Sequence, residues 1–392
     1  MRDYPLDQAS PYKSAAAKFE KLHPGIKIKL VGFPYDTLYQ KILLSKAGGT
    51  KPDIMQSDTI WLGQMAEQGF ATNLDSDYAK WAGKKDIPAK FLASSKWKGH
   101  YYGVWLNTDV RLLLWNKEIF QKAGLDPNKP PRTWSQMISM AQQIQSKEPG
   151  VWGVGFPALA EENTADRWYP LLWMNGGDLL NKSWTKAAFN SPAGVKALQF
   201  LVDLVNKYKV TPKDVLTQNG DDVESAVDSG HYAMQLVDAG GGFGDFKDAA
   251  TAASFTSKFG DALPPICSGC KPSSGSGGYL LIVNPASKYR DLAFQYISMV
   301  TNGKNALPFN IAKGTMPYRK SIVNKYTSLP GYPYFGVSAQ AVKITHFAPY
   351  VPQYEKIVEQ IYTAIQKAVA GQATAKQALD TAAAATNKLL AK

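Results

Sequence analysis

Hydrophobic positions in the first part of the chain change their spacing several times. Residues 11–22 place apolar side chains at helical spacing, whereas apolar and lysine residues alternate over 26–30, which predicts a strand. A second helical pattern spans 38–43, a short buried strand is predicted at 51–55, and a third helix at 61–69. This alternation of helix and strand is typical of a doubly wound α/β domain.

The same two spacings continue to the end of the chain. They predict strands at 101–105, 111–115, 151–156, 233–237 and 279–283, and helices at 133–144, 193–207, 223–227, 354–369 and 375–390. Thr133-Trp134-Ser135-Gln136 has the pattern of a capping box at the start of one of these helices. The chain has no internal repeat and no long linker, so two domains would have to share strands.

Composition narrows the class of protein. The 392 residues suggest two domains, and 45% hydrophobic with 19% charged residues excludes intrinsic disorder. No apolar run approaches the length of about 18 residues that spans a membrane. The net charge is +12, but the lysines are scattered, which favours a solvated basic surface over a nucleic-acid footprint. Aromatic residues make up 12%, and such rings suit both core packing and the faces of sugars.

The two cysteines, Cys267 and Cys270, form a Cys-x-x-Cys motif within a Pro-, Ser- and Gly-rich stretch. Such a motif suggests redox chemistry or half of a zinc site, but no second Cys pair exists and the four histidines lack ligand spacing. We therefore predict a small disulfide that staples a loop in an exported protein, with no metal and no cofactor. Residues 1–5 have no apolar stretch of a signal peptide.

Short motifs along nearly the whole chain resemble one family. The carrying segments are Phe19-Glu20-Lys21-Leu22-His23-Pro24-Gly25, Pro52-Asp53-Ile54-Met55, Tyr102-Gly103-Val104, Leu114-Trp115-Asn116-Lys117, Phe120-Gln121-Lys122-Ala123-Gly124-Leu125, Pro131-Arg132-Thr133-Trp134, Asn175-Gly176-Gly177, Phe189-Asn190-Ser191, Gly230-His231-Tyr232-Ala233-Met234, Gly277-Gly278-Tyr279-Leu280 and Met316-Pro317-Tyr318-Arg319. In this order and spacing, the chain resembles extracellular solute-binding proteins of carbohydrate ABC transporters, the maltose-binding-protein-like family.

The resemblance implies an α/β fold of the two-lobe periplasmic-binding-protein type (type II), with the ligand in a cleft between lobes joined by hinge strands. By this analogy the N-terminal lobe comprises 1–107 plus 263–307, and the C-terminal lobe 108–262 plus 308–392. The implied function is the binding of a mono- or oligosaccharide and its delivery to membrane permease subunits. The implied protein is a periplasmic or extracellular monomer, with lipid anchoring left open.

Sugar recognition needs carboxylates, amides or arginines that bridge hydroxyls, together with an aromatic ring for stacking. The resemblance and the loop positions select nine candidates: Asp58, Trp61, Asp109, Arg111, Trp173, Gly240, Gly241, Gly278 and Arg319. For Asp58 a helix N-cap is an equal alternative. For Asp109 and Arg111 the alternative is an ion pair at the hinge without a ligand role, and for both tryptophans it is core packing.

Three other functions were weighed. A glycosidase needs two positioned carboxylates, and the sequence has two acidic clusters, one at 161–166 and one at 221–228. Acidic residues on loops and at helix starts are usually solvated, so these clusters carry little signal and we expect that the protein is not an enzyme. The main alternative is that the same fold binds a non-sugar ligand such as glycerol phosphate, a polyamine or another anion. The excess of basic over acidic residues would suit a phosphorylated ligand. A nucleic-acid binder is disfavoured, since no basic run is interleaved with aromatic residues.

Overall fold

The computed structural model describes residues 11–33, 35–46, 51–238, 249–313, 315–326 and 335–392. The helices are α1 Pro11–Leu22, α2 Tyr35–Leu44, α3 Leu62–Glu67, α4 Asp75–Lys80, α5 Ala89–Ser94, α6 Lys117–Lys122, α7 Trp134–Lys147, α8 Glu162–Met174, α9 Pro192–Asn206, α10 Gly220–Asp228, α11 Ala249–Lys258, α12 Arg290–Val300, α13 Gly303–Lys313, α14 Lys320–Tyr326, α15 Phe335–Lys343, α16 Tyr354–Val369 and α17 Ala375–Leu390. The strands are β1 Ile54–Asp58, β2 Lys96–Trp97, β3 His100–Tyr101, β4 Val104–Thr108, β5 Leu112–Asn116, β6 Trp152–Gly155, β7 Tyr232–Asp238, β8 Phe259–Ala262, β9 Ser274–Ser276, β10 Gly278–Val283 and β11 Thr345–Phe347.

The chain divides into two compact units. Unit 1 comprises the described residues of Met1–Thr108, Gly277–Tyr326 and Tyr350–Pro352, and unit 2 those of Asp109–Ser276, Thr327–Pro349 and Gln353–Lys392. The first boundary between the units lies between residues 108 and 109, one residue from the boundary expected between 107 and 108. The other two lie at 276/277 and 326/327 rather than at 262/263 and 307/308.

Local contacts explain the two shifted boundaries. Residues 274–276 form β9, which pairs in parallel with β11, and Gly275 accepts a hydrogen bond from the Arg111 amide, so this stretch belongs to unit 2. Met316 exchanges backbone hydrogen bonds with Thr108, and the Tyr318 hydroxyl donates to the Trp105 carbonyl at 2.5 Å. These bonds attach the stretch from 308 to 326 to unit 1.

Unit 1 is built on a three-stranded sheet in the order β1-β10-β4, in which both pairings are antiparallel. The strand expected at 26–30 does not form. Its apolar side chains are only half-buried, and the Ile28 amide donates to the Glu20 carboxylate at 2.8 Å instead of to a neighbouring strand. The prediction of a strand at 26–30 is therefore wrong.

Unit 2 is built on a four-stranded sheet in the order β6-β7-β5-β8. Strands β6 and β7 are parallel, and β5 pairs antiparallel with β7 and β8. The apolar faces of α8, α9, α16 and α17 pack on one another beside this sheet, and Trp168, Leu172 and Leu198 are fully buried. Thr133 caps α7 by accepting from the Gln136 amide at 3.2 Å, which is half of the predicted capping box. The Gln136 side chain accepts from the Arg132 amide at 2.8 Å instead of from Thr133.

Candidate functional site

Arg111 forms the centre of a buried charged cluster in unit 2, immediately before β5. Its side chain is only 7% exposed, and its Nη2 atom lies 2.8 Å from Asp166 Oδ2. Its Nη1 atom lies 3.1 Å from Asp109 Oδ2. Burial by itself lowers the pKa of Arg111, but the two nearby carboxylates outweigh that effect and hold the pKa above its ordinary value. The guanidinium is therefore permanently charged.

A second arginine joins the cluster through Asp166. This carboxylate lies on α8 and contacts Arg167 Nη1 with its Oδ1 atom at 2.7 Å, while its Oδ2 atom contacts Arg111. Two arginines and two aspartates thus balance one another's charge. Two buried donors of the cluster, Nε of Arg111 and Nε of Arg167, have no hydrogen-bond partner among the described residues. Nη1 of Arg111 is held by its ion pair with Asp109.

Strand β9 fixes the backbone of Arg111. The Ser274 hydroxyl accepts from the Arg111 amide and donates to the Arg111 carbonyl, both at 2.9 Å. The neighbouring Gly275 is tightly surrounded, because a Cβ atom there would lie 3.2 Å from Arg111 Cγ and 3.4 Å from the Trp173 ring. Arg111 and Trp173 therefore approach the same glycine from two directions.

Trp173 lies on α8 with its ring 8% exposed. The ring is stacked on the His346 imidazole, with centroids 5.2 Å apart and planes 17° from parallel. Its indole N–H donates to Asp178 Oδ1 at 3.3 Å. One face of the ring is thus covered by a side chain of β11. Trp168, on the same helix, is fully buried in the core.

Asp58, Trp61 and Gly278 lie in unit 1. Asp58 ends β1 and caps the following 3-10 turn, accepting from the Ile60 amide at 3.2 Å, which is the alternative role expected from the sequence. Trp61 is 4% exposed and its ring packs on Tyr39 at 5.0 Å. Asp58 pairs with Tyr279, next to Gly278, so both candidates share one end of the sheet.

Gly278 is required by the backbone. Its φ is +132°, and a Cβ atom there would lie 2.4 Å from the Asn107 carbonyl oxygen. Only glycine fits such a conformation and such an approach between β10 and β4.

Arg319 also belongs to unit 1. It is 4% exposed, Nη1 donates to the Gly83 carbonyl at 3.0 Å, and Nη2 donates to Thr301 Oγ1 at 3.3 Å. Its Nε donates to the Thr301 carbonyl, and the guanidinium lies over the Trp81 ring. Every nitrogen of this side chain is engaged within unit 1. Gly240 and Gly241 lie outside the described residues.

A disulfide joins Cys267 and Cys270, with Cα atoms 5.2 Å apart. Asn175 Oδ1 lies 3.1 Å from one sulfur and 3.5 Å from the other. Asn175 also donates to the Leu171 carbonyl at 2.8 Å, at the end of α8. The disulfide thus lies next to the end of α8, the helix that carries Asp166, Arg167 and Trp173.

Several residues of the cluster were missed as sugar-site candidates from the sequence: Asp166, Arg167, Ser274, Gly275 and His346. Asp166 had been considered only within an acidic cluster for glycoside hydrolysis, and here its carboxylate is held by two arginines. In the other acidic cluster, Asp222 completes a capping box and Asp228 pairs with Lys258. Within the described residues, no three His, Cys, Asp or Glu side chains form a group that could hold a metal ion.

In the described part of the chain, no helix combines the length and apolar character needed to cross a membrane.

Known proteins resemble this chain over almost its full length. A putative binding protein of Brucella abortus strain 2308 is 26% identical and covers 98% of this chain and 91% of its own length. A solute-binding protein of an ABC transporter from Thermotoga lettingae TMO, solved with α-D-tagatose, is 29% identical, with a TM-score of 0.83 over 97% of this chain and 95% of that one. Maltose-bound MalE3 of T. maritima is 25% identical, with a TM-score of 0.82 over 97% and 96%.

These likenesses confirm the expected two-lobe α/β fold of periplasmic binding proteins. The model of the family described as "bacterial extracellular solute-binding protein" matches residues 5–306, well over half of the sequence. The chain therefore belongs to the family of bacterial extracellular solute-binding proteins.

Proposed function

We propose that the protein is the solute-binding component of an ABC importer and that its ligand is a neutral mono- or oligosaccharide. Two similar solved proteins carry α-D-tagatose and maltose, respectively. The protein would hold the sugar outside the cell membrane and deliver it, as a monomer and unchanged, to the permease subunits. That the ligand lies between the two lobes stays a prediction from the resemblance.

The observation that carries the proposal is the charge balance around Arg111. Asp109 and Asp166 oppose Arg111 and Arg167 at distances of 2.7–3.1 Å. A sugar hydroxyl both donates and accepts hydrogen bonds, so a site with carboxylates beside guanidinium N–H donors suits it. A phosphate would instead require positive charge that no carboxylate already neutralises.

The proposed contacts follow from this geometry. Asp109, the more exposed aspartate with 28% of its side chain accessible, would accept hydrogen bonds from hydroxyls. Arg111 would donate to a sugar oxygen from its guanidinium group, in which Nε has no partner among the described residues. Trp173 would contact the sugar with the small part of its ring that is exposed. Asp58 and Gly278 are proposed as contacts on unit 1, whereas Trp61 and Arg319 pack as structural residues there.

The main alternative, an anionic ligand such as glycerol phosphate, predicts a different response in a thermal-shift screen. The panel comprises neutral sugars, sugar alcohols, sugar phosphates and polyamines. A ligand at about 100 times its Kd stabilises the protein by about 2.7 kcal/mol, which raises Tm by several degrees. We expect one neutral sugar to stand out. A response to phosphorylated compounds alone would contradict the proposal.

Site variants then test the residues by calorimetric titration of the best ligand. Asp109→Ala and Trp173→Ala should each weaken affinity at least about tenfold, the loss of one good hydrogen bond or stacking contact. Asp228→Ala, which breaks an exposed pair with Lys258, is the matched control and should leave affinity unchanged. An affinity of Asp109→Ala within about twofold of the parent would remove Asp109 from the site. Chromatography of the sugar after incubation should show no product.

A further inference from the structure

The net charge of the protein is divided very unevenly between the two units. The sequence segments of unit 1 contain 22 Lys and Arg against 11 Asp and Glu, whereas those of unit 2 contain 22 against 21. Unit 1 thus has a formal charge of +11 and unit 2 of +1. The two units contain equal numbers of Lys and Arg, so the difference in charge comes from the smaller number of Asp and Glu residues in unit 1.

The most exposed apolar side chains are in the same unit. Among the described residues, the large hydrophobic side chains reported as exposed are Leu22, Val31, Leu44 and Tyr289, with 52–62% of their surface accessible. All four belong to unit 1, and each has a lysine within two positions along the chain: Lys21, Lys29, Lys46 and Lys288. Unit 2 has no counterpart in its described residues.

Tyr289 lies at the end of the unit 1 sheet that is opposite to Asp58. Strands β1 and β10 are antiparallel, so the start of β1 and the end of β10 share one end of the sheet. The loop that follows β10 is tied to that end, because the Ser287 hydroxyl donates to the Asp53 carboxylate at 2.6 Å. Tyr289 and Lys288 continue directly from Ser287.

Leu44 and Leu22 are placed near the same end. Lys46, two residues after Leu44, donates to the Gln68 carbonyl, and the loop from 68 to 72 is bonded to the last residue of β10. In α1, Tyr12 bonds to Gln56 within β1, and Phe19 packs on Tyr296 of α12, the helix that begins after Tyr289. We call Leu22, Leu44 and Tyr289, with Lys21, Lys51 and Lys288, the basal face.

We propose that the basal face docks on the surface of an anionic lipid bilayer. Exposed lysines attract anionic headgroups, and isolated apolar side chains beside them enter the headgroup region while the ammonium groups stay in water. This contact would leave Asp58 and Gly278, at the other end of the sheet, free for ligand. It does not depend on what the protein transports.

The pattern favours a lipid surface over an acidic protein. Stable protein interfaces have a contiguous apolar centre and are depleted in lysine. The basal face has the opposite character, since single apolar side chains are separated by lysines that are themselves exposed. If the basal face instead binds an acidic protein, the protein should fail to bind the phosphatidylglycerol vesicles in the experiments below.

The first experiment measures co-sedimentation of the full chain with vesicles of phosphatidylcholine, with or without phosphatidylglycerol. We expect binding only when phosphatidylglycerol is present, with loss of binding as salt rises from about 0.01 M to about 1 M. The triple variant Lys21→Glu, Lys51→Glu and Lys288→Glu should bind at least about tenfold more weakly. The matched control Lys182→Glu, Lys186→Glu and Lys388→Glu makes the same charge change at exposed positions of unit 2 and should bind like the parent.

The second experiment tests insertion of the apolar side chains. Because both native cysteines are in the disulfide, a single added cysteine can be labelled selectively with an environment-sensitive dye. A label at Leu44→Cys should shift to the blue on phosphatidylglycerol vesicles, and a label at Lys182→Cys should not. Equal binding of the two triple variants, no binding of the parent, or the absence of a blue shift at position 44 would each overturn the proposal. Unchanged melting temperatures show that the variants are folded.

Discussion

The two units use charged residues in opposite ways. In unit 2 the decisive charges are buried and paired, with Arg111 and Arg167 held by Asp109 and Asp166. In unit 1 most of the excess positive charge is on exposed lysines, next to apolar side chains that are also exposed. Buried pairs set geometry and chemical selectivity, whereas exposed charges set association with other surfaces. The net charge of +12 therefore says little about the ligand.

The largest effect is expected from removing the shared carboxylate of the cluster. Asp166→Ala leaves two buried guanidinium groups without their common partner, and we expect a loss of about 3–5 kcal/mol in the free energy of unfolding. Urea denaturation measures this loss. Asp228→Ala breaks a single exposed pair and should cost less than about 1 kcal/mol. Equal effects of the two variants would show that the buried cluster has no special role.

A smaller effect is expected at the end of the unit 1 sheet. Gly278→Ala forces a side chain into a φ of +132° and against the Asn107 carbonyl, and it should cost about 1–3 kcal/mol. In unit 2, Gly336→Ala is the control, because no atom lies within 4 Å of the added Cβ and the position is helical. That variant should be neutral or gain up to about 1 kcal/mol. A neutral Gly278→Ala would argue against the close pairing of β10 and β4.

The disulfide is expected to have the smallest effect of the three, and to act on unit 2 alone. Its loop is short, with a sequence separation of 3 residues, so the loss of chain entropy on cross-linking corresponds to about 2 kcal/mol or less. The Cys267→Ser and Cys270→Ser double variant should lower the unfolding midpoint modestly while the vesicle binding of unit 1 stays unchanged. A loss of vesicle binding in this variant would contradict the separation of roles between the units.

The sequence predicts most elements, because helices and strands bury apolar side chains at distinct periods. Helices α1, α9, α16 and α17 and strands β5 and β10 lie where the spacing predicts them. The prediction of a strand at 26–30 was wrong. Alternation of apolar and polar residues indicates that one side of a segment is partly buried, but it does not indicate that a neighbouring strand is present to form backbone hydrogen bonds. The pairing of β1 with β10, more than two hundred residues apart, also has no local signal.

The candidate site was predictable only in part, for a similar reason. Asp109 and Arg111 are close in sequence, and their ion pair was foreseen as one of two alternatives. Asp166 contacts Arg111 across 55 positions of the sequence, and Ser274 contacts Arg111 across 163 positions. Neither contact could be derived from the spacing of residues. Unit 2 has nearly equal numbers of positive and negative residues, and unit 1 has an excess of positive residues. This difference becomes visible only when the fold assigns each segment of the chain to its unit.

The salt dependence of ligand affinity tests the central claim most directly. Titration calorimetry of the best ligand at about 0.01 M and about 1 M salt changes the Debye length from about 30 Å to about 3 Å. A neutral sugar held by a charge-balanced cluster should bind with a Kd that changes less than about twofold. A Kd that rises tenfold or more at high salt would show that the ligand is anionic and that unpaired positive charge binds it, which would contradict the account of the Arg111 cluster.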